Sequence, residues 1–260
     1  PAKKHTMIIS RIDTVSVVGF LILVQGTGAL AGFWLPAIAP EVGKSLGLSP
    51  SLIAYPVLIL YIFAMISSLM AGGFVARFGA WRASQAALIL IGISHLMFMN
   101  GSLIFLAVGS IILGGAYGLL TPPASHLLSK IVTAKNRNLI FSIRFTGVPL
   151  GGILAGLLAP SVALEYGWRE SMLVTVVISV VIAVAMQPLR KRWDGDRSKG
   201  AKIIRNPISD ICLVWKLSAL KWVALSGLCM GAVQTTLTTY TVTMLVEDAN
   251  YSLIAAGIGL

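Results

Sequence analysis

Between Val15 and Leu189 the chain runs through six apolar stretches, each long enough to cross a bilayer, and Arg144 is the one formal charge inside any of them. A helix rises about 1.5 Å per residue and a bilayer's hydrocarbon core is roughly 30 Å thick, so about 20 mostly apolar residues make a crossing. Val15–Ala39, Leu52–Val75, Ala83–Met99, Ser102–Leu128, Leu139–Leu164 and Met172–Leu189 are of that order. A seventh stretch runs from Trp222 to Val246 and an eighth opens at Ser252, where the sequence reads as cut within a span before Leu260. The runs are continuous and long, whereas a membrane barrel needs alternating segments of roughly ten residues. The fold class expected is therefore an all-α polytopic membrane bundle.

Composition leads to the same class. With 57% hydrophobic and 11% charged residues, 260 residues carry too little polar surface for a water-soluble domain. Lys3, Lys4 and Arg11 ahead of an apolar run resemble a signal peptide, but Val15–Ala39 exceeds a signal core and five similar spans follow, so it reads as a retained first helix. The net charge of +11 would suit nucleic acid if it formed one patch, yet it is sorted by side. One side holds the N-terminus, the Arg77–Arg82 and Lys130–Arg137 loops and the Arg190–Lys221 segment; it carries seventeen basic residues against Asp13, Asp194, Asp196 and Asp210. The other has Lys44 and Arg169 against Glu41, Glu165, Glu170, Glu247 and Asp248. Lys and Arg accumulate on cytoplasmic loops, so the N-terminus and the loop after Leu189 are expected inside a cell (inner or plasma) membrane, with the lipid bilayer and not nucleic acid as partner. Cys212 and Cys229 have no disulfide or metal spacing and read as buried small hydrophobes; no metal or cofactor is expected.

Three units are expected: residues 1–189 as a six-helix bundle, 190–221 as a charged cytoplasmic linker, and 222–260 as the start of a second bundle. In the linker, Ile208–Leu220 has the pattern of an inner-surface helix, or of a lead-in to the seventh span. A weak repeat links Phe78-Gly79-Ala80-Trp81-Arg82 before the third span to Tyr166-Gly167-Trp168-Arg169 before the sixth. Triplets with an odd number of spans enter from opposite faces, as an inverted-topology repeat requires.

The stretch Gly72–Arg82 resembles the signature loop G-x-L-A-D-R-x-G-R-R of the major facilitator superfamily, with Gly72, Arg77, Gly79 and Arg82 in place. The acidic position is Ala76, and Ala80 and Trp81 stand where Arg is usual, which removes part of that loop's charge network. Ser142–Gly152, with Gly147, Pro149, Gly151 and Gly152, is similar to a glycine-proline motif in the fifth span of that superfamily, with Val148 where its antiporter form has glycine. The resemblance covers essentially the whole chain. It implies two six-helix bundles, of which this chain holds the first and the opening of the second, in a monomeric transporter that works by alternating access on a small-molecule substrate and a coupling ion.

Helices in lipid gain little from apolar contact, so small residues mark where backbones approach. Gly28-x-x-x-Gly32, Ser68-x-x-x-Gly72, Gly114-x-x-x-Gly118, Gly147-x-x-x-Gly151 and Gly152-x-x-x-Gly156 fall in the first, second, fourth and fifth spans. Those are the helices that line the path in the superfamily. Arg144 lies in the fifth span, where an unsolvated charge costs about 2.5 to well over 10 kcal/mol, so it either faces the bundle interior or snorkels to headgroups. Its helical face, Gly147, Val148, Gly151 and Ala155, is small and is expected to leave room for a ligand. The first six spans hold no carboxylate, so a buried guanidinium favours an anionic substrate, and a coupling proton would have to use His126, Glu41 or residues further on. The other candidate substrate contacts are Gln25, the series Tyr117, Thr121 and Ser125 beside Pro122-Pro123, and Gln234 with Thr238. No nucleophile, base and orienting group stand in register, so no enzyme is expected. The alternatives are a drug or metabolite exporter, and a membrane assembly factor or receptor that keeps the fold without transporting.

Overall fold

A computed structural model describes residues 11–198, 200–203, 212 and 215–259, and every regular element among them is helical. The first span is α1 (Arg11–Ala37); α2 (Ala39–Leu46) follows it and ends at Gly47. The second is α3 (Ala54–Phe78) and the third α4 (Ala80–Phe98). The fourth is split into α5 (Leu103–Gly118) and α6 (Thr121–Ile131), and the fifth into α7 (Arg137–Phe145) and α8 (Gly147–Tyr166). The sixth, α9 (Trp168–Ala185), continues through a 3-10 turn into the short α10 (Arg190–Trp193). Beyond it, α11 (Ser218–Glu247) covers the expected seventh stretch, and α12 (Leu253–Ile258) begins where the eighth was expected, with the Ser252 hydroxyl accepting from the Ala255 N–H.

Five helical runs among the described residues are by themselves long and apolar enough to cross a membrane: Asp13–Ala37, Ala54–Phe78, Leu103–Ile131, Arg137–Tyr166 and Trp168–Trp193. The third span, α4, is a full helix of 19 residues, but it carries Ser84, Gln85, Ser94 and His95 buried within the protein. It lies between α5 and α9, so these groups bond internally: Gln85 donates to the Ala183 carbonyl at 2.8 Å, and the His95 ring lies 3.2 Å from the Ile91 carbonyl.

Packing makes the two triplets images of each other. The first span lies along the fifth (α1 on α8) and the second along the fourth (α3 on α5), the pairs that interchange when the triplets are exchanged. Small residues set both contacts. A Cβ on Gly147 would stand 2.6 Å from the Ile22 carbonyl oxygen, and one on Gly151 would stand 2.8 Å from the Ala29 Cβ and overlap the Gly26 carbonyl oxygen. In the other pair, a Cβ on Gly118 would lie 2.7 Å from the Ala64 carbonyl oxygen and one on Gly114 2.7 Å from the Phe63 Cβ. Gly28 and Gly32 face the Leu120 and Tyr117 side chains, and Gly152 faces the Phe33 ring. Gly72 departs from the expectation, because no neighbour lies within 4 Å of where its Cβ would be. The loops that start α4 and α9 repeat the same backbone: Gly79 has φ 98°, ψ 152° and Gly167 has φ 95°, ψ 149°, a region open to glycine.

The expectation of a solvated linker after the sixth span is corrected over its first residues. Trp193 and Asp194 are buried at 1% and 5% exposure on the end face where α1 begins. Both Asp194 carboxylate oxygens accept from the start of α4, from the Trp81 N–H at 2.8 Å and the Arg82 N–H at 3.1 Å, which satisfies donors that a helix start leaves without partners. Burial pushes the Asp194 carboxyl up and these two N–H bonds pull it back, with burial prevailing. Trp193 stacks on Trp81, the Trp81 indole donates to the Met186 carbonyl at 2.6 Å, and Lys130 donates to the Trp193 carbonyl at 3.1 Å. The Ser198 N–H reaches the carbonyl of Ala76, the residue that occupies the signature loop's acidic position, so the carboxylate serving this loop comes from the linker. Asp194→Ala is expected to cost about 1–2 kcal/mol through the lost cap, read as a lower melting temperature together with red-shifted fluorescence from Trp81 and Trp193. An unchanged spectrum and melt would remove this role.

The other sequence expectations fare unevenly here. Cys212 and Cys229 are exposed, not buried. For Cys229 the reason is that α11 is exposed from Trp222 to Gln234, and its buried residues, Thr239, Val242 and Thr243, lie toward its other end. Most of Ile208–Leu220 lies outside the described residues.

Candidate functional site

Proline opens both helices of the site. Pro122 and Pro123 have no N–H to offer the carbonyls four residues back, and the fourth span breaks at Leu119-Leu120 between α5 and α6. Pro149 does the same to the Phe145 carbonyl, and the fifth span breaks at Thr146 between α7 and α8. Irregular backbone at membrane depth persists only where protein or a water-filled cavity surrounds it, and such broken helices are where transporters hold ligands.

Arg144 sits in the last turn before the second break and its side chain turns inward, with no exposed surface. Its Nη2 donates to the Gln25 Oε1 of α1 at 2.6 Å and to the Leu120 carbonyl, at the other break, at 3.3 Å. The guanidinium carbon lies 4.8 Å from the centroid of the Phe145 ring. Nε and Nη1 are buried with no hydrogen-bond partner. Arg144 and Asp194 are the two charged residues buried among the described residues, and Asp194 belongs to the end face, so no carboxylate answers this cation. Snorkelling is thereby ruled out for the conformation seen, because the head group lies inside the bundle rather than at its rim.

The expectation that Arg144's own face leaves room for a ligand is corrected. Gly147 and Gly151 are filled by the backbone of α1, because glycine draws that helix into contact rather than leaving a gap. A hollow whose lining does not include Arg144 lies between α3 and α11. It measures about 370 Å³ and is lined by Val57, Tyr61, Thr235, Thr239 and Tyr240, among others. Tyr61 and Thr235 both line it, Tyr61 packs edge-on against Tyr117 at 6.1 Å, and Tyr117 lies against Gly32.

Of the sequence-chosen contacts, Gln25 is brought onto Arg144, and Tyr117 packs on Tyr61, which lines the hollow. Thr121 is exposed and Ser125 half-buried on α6, beyond the break that interrupts their common face with Tyr117. On α11, Gln234 is exposed and the Thr238 hydroxyl bonds back to the Gln234 carbonyl at 3.0 Å, while Thr235 and Thr239, one position further along, line the hollow. Helical phase on a span with no repeat partner in this chain gave no means to choose between these pairs. Pro122 and Pro123 leave the Gly118 and Leu119 carbonyls without their helical donors, so nothing in the sequence signalled that the Leu120 carbonyl would accept from Arg144. His126 pairs with Asp196 at 2.7 Å on the end face, His95 is internal to α4, and Trp34 donates to the Ser171 hydroxyl at 3.1 Å as a packing residue. A second hollow of about 320 Å³, lined by Val42, Leu52, Tyr55 and Leu106, is apolar and likewise does not include Arg144.

Residues 20–260 match the family described as the Major Facilitator Superfamily. A protein of Pseudomonas putida named as a gallate transporter is 28% identical over 151 residues, covering 56% of this chain and 32% of its own length. Among solved structures, a bacterial homologue of the human lysosomal transporter Spinster, inward-facing and unoccupied, superposes with a TM-score of 0.75 at 16% identity, over 96% of this chain and 59% of its own. A peptide transporter of the POT type in complex with sulfate gives 0.60 at 20% identity (92% and 48%), and a D-xylose-proton symporter gives 0.60 at 14% (96% and 65%). The chain spans about a third of the curated relative and about half to two thirds of these structures.

Proposed function

The chain belongs to the major facilitator superfamily, and from that premise we propose that it forms the first bundle and the opening of the second in a secondary transporter for a small organic anion. The observation that carries the anion is Arg144: a fully buried guanidinium with two nitrogens free of partners and no carboxylate beside it. A carboxylate or oxyanion is the ligand that satisfies such donors, because a guanidinium offers them in a planar fork and charge-assisted bonds are the strong ones. The relative named for gallate, itself a carboxylate, supports the same class of solute.

Alternating access fits the way α11 and α12 meet the bundle. The C-terminal end of α11 contacts α2 and the Pro50–Ile53 turn, and a Cβ on Gly257 of α12 would stand 2.7 Å from the Pro160 side chain of α8. From Trp222 to Gln234, toward the end where α1 begins, α11 is exposed, while its buried residues lie toward the other end, and we read this as a separation of the two bundles on the side that the sorting of Lys and Arg makes cytoplasmic.

Flux tests the reading. The full-length protein in proteoliposomes, offered carboxylates, neutral sugars and apolar cations with and without a proton gradient, is expected to move a carboxylate. Transport of apolar cations alone would replace the reading with an exporter, and no flux of any solute would favour a non-transporting assembly role.

A further inference from the structure

The end face beside α10 holds a hollow of about 290 Å³ lined by Arg190, Lys191, Asp194, Gly195 and Arg197. Among the described residues, the acids of this face are already committed. Asp13 pairs with Arg192, Asp194 turns both oxygens to the start of α4, and Asp196 takes Lys130 at 2.8 Å and His126 at 2.7 Å. Partial burial works against ionisation of Asp196, but the bonds from Lys130 and His126 outweigh it and hold the carboxyl below its usual range. Among the described residues the Arg190, Lys191 and Arg197 side chains have no ion-pair partner, and they converge on one concavity.

Where the hollow lies selects its ligand. The span Trp168–Trp193 runs through Arg190 and Lys191 in its last turns, the depth at which lipid headgroups sit. Along the same helix Val177, Val181 and Val184, at i, i+4 and i+7, are 59%, 59% and 66% exposed and form an apolar strip that leads toward the hollow. An acyl chain fits the strip and a phosphate fits the cations above it. We propose that this hollow binds the phosphate of an anionic phospholipid, holding one lipid of the adjacent leaflet against α9 and α10. The site is independent of which solute crosses the protein.

Two arms on the full-length protein test it. In nanodiscs of phosphatidylcholine with a minor share of phosphatidylglycerol, co-purified lipid is measured for wild type, Arg190→Gln/Arg197→Gln and Lys135→Gln/Arg137→Gln. The last pair removes equal charge from another loop of the same face. Phosphatidylglycerol enrichment is expected to fall about 30-fold in the first variant, with two cations near the surface each contributing, and to hold in the second. Equal falls in both would mean bulk attraction only and overturn the site. In the second arm, wild-type Arg190 and Arg197 are footprinted with an arginine-selective reagent, which needs no variant to fold. Short-chain phosphatidylglycerol is expected to protect both residues, and phosphatidylcholine and inorganic phosphate to protect neither. Equal protection by inorganic phosphate would make this a soluble-phosphate site and overturn the lipid.

Discussion

Arg144→Gln in the full-length protein is expected to lower carboxylate binding by about 100-fold, the equivalent of two charge-assisted hydrogen bonds at about 1.5 kcal/mol each, while leaving the fold intact. The fold should tolerate the change because it removes a buried charge that no carboxylate compensates, leaving Gln25 and the Leu120 carbonyl to a neutral partner. Arg144→Lys keeps the charge and loses the planar fork, and is expected to retain part of the affinity. Binding can be read as ligand-induced thermal stabilisation of the purified protein, and transport as counterflow. Wild-type affinity in Arg144→Gln would remove the anion assignment. Loss of folding in both variants would make Arg144 a structural tie between the broken spans rather than a ligand contact.

The second large effect is expected at Gly151, where Gly151→Val should abolish a monodisperse, folded protein. Inserting extra methyl groups into a packed core costs about 1–3 kcal/mol when side chains can shift. Here the obstacles are the Gly26 carbonyl and the Leu30 amide of α1, which cannot rotate aside, so α1 and α8 would have to part. The adjacent Gly152→Val is the control, because its Cβ would meet only the Phe33 ring, at 3.3 Å, and a side chain can yield. Size-exclusion profiles and melting temperatures of the two variants decide the matter. Comparable behaviour would show that the α1–α8 contact does not depend on backbone approach.

These two residues show how unevenly the sequence could be read. Arg144 stood out because a charge in an apolar run is expensive wherever it is placed, but that cost left both the bundle interior and the headgroups open, and the fold decided for the interior. Gly151 was recognisable as a packing position by its spacing to Gly147, but the spacing does not say what fills the notch. The same small face read as room for a ligand and as a seat for a helix, and α1 took it. Asp194 was hidden by its setting in a basic run, where a lone acid reads as solvated. Its capping of α4 joins residues more than a hundred positions apart. Thr235 and Thr239 were missed for Gln234 and Thr238 because one residue of helical phase separates the face toward the hollow from the face away from it.

What the sequence alone determined is the class of structure and its membership. Bilayer thickness converts run length directly into spans, sorted Lys and Arg point to an orientation, and the Gly72–Arg82 and Ser142–Gly152 motifs pointed to the family that residues 20–260 match. Those signals are local, each carried by a contiguous segment and by the solvent it must meet. Only the tertiary structure decided which helix lies against which glycine, that both breaks face one guanidinium, and that the linker's first turn docks on the end face. Such outcomes depend on contacts between distant segments, and in lipid those contacts are set by close backbone fit and polar satisfaction rather than by hydrophobicity, which is nearly the same on every face of these helices.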